Sequence, residues 1–207
     1  AEKFIIFAKD GGISRQVYIN KTYNFETLNK AIQILGKVDI IFDIGANIGT
    51  TCITAIKKKF SKTAIAIEVD NENFELLRQN IILNKMEDKI KSFNAAIGYK
   101  QKKIDLIKNK NNFGANYTKN SNDFKKKNKV KVIHLNKFDK FTKKKSLVWI
   151  DVQGNEANAL LGSTKLIKKK IPFVIEFWPY GINRAGNKEK LIIQLIKFKF
   201  FIDLKSK

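Results

Sequence analysis

Asp43-Ile44-Gly45-Ala46-Asn47-Ile48-Gly49-Thr50 is the stretch from which the fold can be read. Ahead of it, Val38-Asp39-Ile40-Ile41-Phe42 is a short apolar run stopped by glycine, the pattern of a parallel strand buried on both faces. Behind it, Thr50 to Phe60 predicts a helix whose closing lysines suit the negative end of its dipole. Gly45 permits the tight turn between the two, and Gly49 lets the helix start lie close to the strand or to a ligand. A strand-end acid, a glycine turn and a helix amino terminus with unpaired N–H groups together make a place for a ligand.

The alternation continues outward. Thr63 to Glu68 reads as a second buried strand, and Asn71 to Asn84 carries Phe74, Leu77 and Ile81 on one helical stripe. Lys89 to Asn94 reads as a third strand, Ser146 to Asp151 as the next, and Asn155 to Lys170 as a helix. Pro172 to Phe177 follows as a strand, Lys188 to Lys197 as a helix, and Phe198 to Leu204 as a last strand. Strands alternating with helices predict an α/β fold, a mostly parallel sheet with helices on both faces. Right-handed crossovers bring the carboxyl ends of the strands to one edge, where ligands bind at the switch in strand order. Asp43, Glu68, Asn94, Asp151 and Glu176 stand at those ends.

With no repeat and no linker, the 207 residues read as one domain. Residues 1–37 form an N-terminal cap or acceptor segment, and residues 38–207 form the core, with a polar insertion at 98–131. Within the insertion, Lys103 to Lys108 predicts a hairpin arm and Asn111 to Asn116 a polar loop, a kind of segment that is usually functional or mobile.

The glycine pattern selects among nucleotide ligands. A dinucleotide fingerprint placed on Gly45 wants glycines where the chain has Asn47 and Thr50, and no Gly-Lys-Ser/Thr follows to grip phosphates. What remains is an acid-led D-x-G-x-N-x-G loop with Glu68, nineteen residues beyond Gly49, placed to accept ribose hydroxyls. That pair suits a ligand with an amino-acid end and a ribose but no phosphates, which is S-adenosylmethionine (leaving as S-adenosylhomocysteine).

Three ordered blocks carry a resemblance. They are Ile41 to Gly49; Ala66-Ile67-Glu68 with Asn73-Phe74-Glu75-Leu76-Leu77-Arg78-Gln79-Asn80; and Trp149-Ile150-Asp151-Val152-Gln153-Gly154-Asn155-Glu156 with Leu160-Leu161-Gly162. Together, and with Ile175-Glu176, the sequence resembles the FkbM-type S-adenosylmethionine-dependent methyltransferases over roughly residues 38–180. The resemblance implies a Rossmann-like class I methyltransferase fold and methylation of an oxygen acceptor, commonly a hydroxyl on a sugar or small metabolite. It departs at Gln153, where many relatives carry glutamate. It departs also at the end: Lys207 leaves little room for the final antiparallel strand usual in this fold.

Methyl transfer needs an acceptor held in line in a dry site, and an alcohol also benefits from a base. Asp151, ending the strand next to the first one, is the candidate for orienting or deprotonating the acceptor, with helix capping as its plainer role. Glu176 is the second candidate, its plainer role a solvated strand-end acid. Asp43 is expected to orient the Gly45-Ala46-Asn47 loop and the amino-acid moiety, with the Thr50 and Thr51 hydroxyls near its carboxylate and Gly49 closing the turn. Glu68 with Val69 would take the ribose, and Asn94, Ala95 and Ala96 would line the adenine. His134 and Cys52 read as structural residues. Trp178-Pro179-Tyr180 is a partial match to the Asn-Pro-Pro-Tyr motif of enzymes that methylate base amines, but it follows the wrong strand and lacks the leading Asn or Asp.

Composition bounds the rest. Hydrophobic residues make up 43% of the chain, enough for a full core, and a lone cysteine excludes a disulfide scaffold or a thiolate zinc site. No metal site is expected. No apolar run approaches the ~20 residues of a membrane span, and a cytoplasmic setting is the expectation. The net charge of +22 comes from 38 lysines and only three arginines, beside 30 isoleucines and 21 asparagines, residues with A/T-rich codons. Genome bias accounts for such a composition. An RNA acceptor on the lysine-rich surface is the second reading, and a small-molecule or glycan acceptor the first. Nothing in the sequence specifies an oligomeric state.

Overall fold

The computed structural model describes residues 2–99, 103–119 and 129–205. Five parallel strands form the central sheet: β1 (Val38–Ile44), β2 (Ser61–Glu68), β3 (Ile90–Asn94), and, beyond an insertion, β8 (Ser146–Ile150) and β9 (Phe173–Ile175). Their order is β3-β2-β1-β8-β9. The chain builds outward from β1 to β3 and then returns to lay β8 on the other side of β1, so the switch in direction falls between β1 and β8.

Side-chain alternation explains why the sheet is covered twice. Ile40, Phe42 and Ile44 of β1, Ile65 and Ile67 of β2, and Val148 and Ile150 of β8 point into one cluster. There they meet α5 (Glu156–Leu161), α6 (Thr164–Lys168) and α8 (Lys188–Leu195). Ile41, Ala64, Ala66, Leu147 and Trp149 point the other way. They meet α2 (Phe25–Leu35), α3 (Thr50–Lys57) and α4 (Asn71–Leu83). The two alanines of β2 leave room for the helices to lie close on that face. A shorter helix, α1 (Ile13–Asn20), packs Ile13 and Val17 on Ile48 and Leu76 near the strand ends.

The insertion builds a sheet of its own. β4 (Ala96–Ile97) pairs in parallel with β7 (Lys129–Ile133), which pairs antiparallel with β5 (Lys103–Ile107), and β5 pairs antiparallel with β6 (Tyr117–Lys119). The lysine run 125–127 lies outside the described residues.

Two sequence expectations are corrected. The helix expected over 155–170 is two short helices. The Gly162 backbone sits so close to the Gly98 carbonyl that a Cβ there would lie 2.4 Å from its oxygen, and Asn136 N–H takes the Gly162 carbonyl instead of a continuing turn. The strand expected over 198–204 is irregular chain. Phe198 docks edge-on against Phe173 of β9, with ring centroids 5.4 Å apart, and belongs to one face of the sheet, whereas Leu204 packs on the other. The segment therefore wraps the sheet edge through side chains on both faces, and no ladder forms. Among the described residues no antiparallel strand joins the central sheet.

Candidate active site

Register brings the functional residues to one level. Ile44 pairs with Ile67 on one side and Ile150 on the other, and Ile150 pairs with Ile175. Gly45, Glu68, Asp151 and Glu176 are the next residues along their four strands, so they emerge side by side at the carboxyl edge. Gly45 turns the chain there at φ +84°, and a Cβ on it would lie 1.8 Å from the Asp151 carbonyl oxygen. The turn is stitched to both neighbours: Gly45 N–H and Ala46 N–H donate to the Ile67 carbonyl, and Asp151 N–H donates to the Ile44 carbonyl.

Glu68 is 4% exposed. Its Oε2 accepts from Asn47 N–H and its Oε1 from Asp70 N–H, both at 2.8 Å. Burial pushes its carboxyl up to about 7 even though these two N–H groups hold it down. Each oxygen keeps a further lone pair, which is the acceptor set that a ribose diol needs. Asp43 is likewise buried and raised to about 7, chiefly by desolvation. Its Oδ2 accepts from the Cys52 backbone N–H at 3.0 Å, so the carboxylate serves the start of α3 from inside the fold. Gly49, at φ +95°, is there for packing: a Cβ would meet the Cδ1 atoms of Ile53 and Leu77 at 2.8 Å.

A carboxyl pair faces Glu68 across the turn. The Gln153 side-chain amide nitrogen donates to Asp151 Oδ1 at 2.6 Å and to Glu176 Oε2 at 2.8 Å. Burial, and then the neighbouring Asp151 charge, push Glu176 up to about 8. Gln153 holds φ +54° in a loop fastened from behind. There Arg184 Nη2 donates to the Gln153 carbonyl, Asn187 to the Gly154 carbonyl, and Gly154 N–H donates to Glu156 Oε1. Buried Glu156, its Oε2 without a partner, is raised by desolvation. Tyr23, in the link between α1 and α2, has its hydroxyl pushed up by burial and then by the Asp151 and Glu176 charges.

Glu68, Asp151 and Gln153 line one open cleft at this edge. Of the residues expected from sequence, Gly45, Asn47, Glu68, Val69, Ala95, Ala96 and Asp151 line it. Asp43, Ala46, Gly49, Thr50 and Thr51 lie behind it in the turn and helix that shape it, and the bond expected from the threonine hydroxyls to Asp43 comes from the Cys52 amide. Asn94 is outside the lining too; its Nδ2 donates to the Glu68 and Val69 carbonyls, tying β2 to β3. Glu176 reaches the site through Gln153.

The roof comes from the two segments that the sequence marked only broadly, the 1–37 cap and the polar loop of the insertion, without naming their residues. Ile13, Phe113, Gly114, Asn116 and Thr118 line the cleft from the cap and the insertion. Asp10 joins those two segments: its Oδ1 accepts from Gly12 and Phe113 N–H, and its Oδ2 from Ser14 N–H. Lys108 ties the insertion to α4 through Asp70 at 2.9 Å and Glu72 at 3.1 Å. A buried acid ahead of two glycines, Asp10-Gly11-Gly12, was the available signal. No cluster of three or more potential metal ligands occurs among the described residues, and none of their helices is long and apolar enough to cross a membrane.

The methyltransferase FkbM domain matches residues 43–201. The chain belongs to the FkbM methyltransferase family. S-adenosylmethionine, the cofactor expected from the loop, is therefore the methyl donor of its family. A solved structure of methyltransferase FkbM from Methylobacillus flagellatus KT is 16% identical, with a TM-score of 0.50 over 76% of this chain and 37% of that one. The chain thus spans little more than a third of that protein's length. The B. subtilis m1A22 tRNA methyltransferase TrmK is 10% identical, covering 79% of this chain and 55% of that one with a TM-score of 0.43. An RNA methyltransferase from Salinibacter ruber, solved in complex with S-adenosylhomocysteine, is 16% identical over 35% of this chain and 48% of that one, with a TM-score of 0.32. No curated protein matches.

Proposed function

We propose that this FkbM-family chain binds S-adenosylmethionine in the cleft over Gly45 and methylates a hydroxyl on a sugar, glycan or small metabolite, in the cytoplasm. The observation that carries the reading is the placement of Glu68 on one side of the Gly45 turn and the Asp151–Gln153–Glu176 cluster on the other, around a single cleft. Glu68 holds the ribose, Val69, Ala95 and Ala96 give the adenine an apolar wall, and the Gly45 backbone lets the amino-acid end approach. When bound, the cofactor supplies an electrophilic methyl group on a sulfonium.

The chain's own work is acceptor placement and proton handling. Asp151 and Glu176, bridged by the Gln153 amide, form a carboxyl pair that takes the acceptor's hydroxyl proton. With Glu176 raised to about 8, the pair gains its full charge only as pH rises through that value, so turnover is expected to climb through the same window. The cap and the insertion roof the cleft.

The test is methyl transfer from labelled S-adenosylmethionine into fractionated extract of the source cells, with and without ribonuclease. Label in a ribonuclease-resistant fraction, lost with Asp151→Asn, is the expected result. Label that disappears with ribonuclease makes RNA the acceptor and overturns the proposal.

A further inference from the structure

Beyond Glu176 the chain enters Phe177-Trp178-Pro179-Tyr180 and the short helix α7 (Pro179–Arg184). Phe177 and Tyr180 are 64% and 66% exposed, a costly way to leave aromatic surface unless something covers it. The Trp178 and Tyr180 ring centroids are 5.5 Å apart. Arg184, one of only three arginines, lies among these rings: its Cζ is 3.7 Å from the Tyr117 centroid, 5.2 Å from Trp178 and 5.8 Å from Tyr180.

The arginine is under-satisfied. It is half-buried, its hydrogen bond goes to the Gln153 carbonyl at 3.2 Å, and its Nε–H is buried without a partner. No carboxylate among the described residues pairs with it, although the chain carries 19 acids. A guanidinium so placed, with ring faces as its main company, still lacks the anion that its fork geometry fits. Through Gln153 it stands next to the Asp151–Glu176 pair that the proposed reaction uses.

We infer that Tyr117, Trp178, Tyr180 and Arg184 form the acceptor subsite, and that the acceptor is an anionic sugar. The sugar's ring faces the aromatic side chains, and its carboxylate or phosphate pairs with Arg184. This rests on the hydroxyl-methylating reading above and narrows its substrate class. It also gives Trp178-Pro179-Tyr180 a use unrelated to base amines. The negative charge of the Asp151–Glu176 pair alone would repel an anionic acceptor, and the arginine offsets that repulsion while leaving the hydroxyl toward the pair.

The test is a tryptophan-fluorescence titration of the full chain saturated with S-adenosylhomocysteine, using glucuronate, glucose 6-phosphate, glucose and oligouridylate as probes. The expected result is saturable binding of one or both anionic sugars, tighter than glucose by about tenfold or more. Arg184→Met should abolish that preference, Arg184→Lys should restore part of it, and Tyr180→Ala should weaken the sugars generally. Calorimetry with S-adenosylhomocysteine on the same proteins separates the alternatives. If Arg184 only braces the Gln153 loop, Arg184→Met loses nucleoside affinity as well, and the inference fails. Equal binding of glucose, no binding of any sugar, or Arg184-dependent binding of oligouridylate alone overturns it too. Failure of the wild-type chain to bind S-adenosylhomocysteine overturns the underlying function and the inference with it.

Discussion

Gly45 tolerates no side chain. At φ +84° an added methyl would fall 1.8 Å from the carbonyl oxygen of Asp151, the residue that follows β8 and is held to Ile44 of β1 by its own N–H. Gly45→Ala is expected to cost about 3 kcal/mol or more in urea unfolding. Gly49→Ala meets only the flexible ends of Ile53 and Leu77 and is expected to cost about 1–2 kcal/mol; equal costs would contradict this account of the turn. The two glycines look alike in the sequence because spacing reports that a turn is tight but not what it is tight against. Gln153 shows the converse. It stands where many relatives carry glutamate, and its neutral amide donates to two carboxylates at once. Since the Asp151 charge is the second cause of the raised Glu176, Asp151→Asn should lower the Glu176 pKa from about 8 while burial keeps it above the ordinary carboxylate value. Carboxyl carbon NMR would read that change, and an unmoved Glu176 would mean the two acids do not communicate.

Elements that bury a periodic face were legible, and elements held by long-range contacts were not. The strand at 38–44 and the helix at 71–83 announce themselves because every turn or pleat repeats the same burial. The break at Gly162 depends on the Gly98 carbonyl, 64 residues away, and the irregular C-terminal chain depends on Phe198 finding Phe173. The roof of the cleft is of the second kind. Asp10→Ala removes the acceptor shared by Gly12, Ser14 and Phe113, so the cap and the insertion should part. Faster amide exchange at residues 111–116 and weaker S-adenosylhomocysteine binding are expected together. Exchange that stays slow would show the two segments to be held by other contacts.

At the scale of the whole molecule, the buried acids set how stability follows pH. Asp43 and Glu68 are raised to about 7 and Glu176 to about 8, so the folded chain keeps protons that the unfolded chain releases near pH 4. More protons bound in the folded state means stability falls as pH rises. That loss begins near the unfolded values and is complete once pH passes the folded ones, so Tm should be higher at pH 6 than at pH 8.5. A Tm that rises over that interval contradicts the raised values. The place of the Asp151 strand beside the first one was legible because right-handed crossovers and a switch in strand order bring the strand-end acids to one edge. The second sheet was not, because β4 and β7 find each other across the insertion with only two paired residues. What the whole arrangement most requires is that Glu68 hold the cofactor's ribose. Calorimetric titration of S-adenosylhomocysteine into the wild-type chain and Glu68→Gln tests this directly. Saturable binding weakened by about 1–3 kcal/mol in the variant is the predicted result. No binding to the wild type, or equal affinity for both, would contradict it.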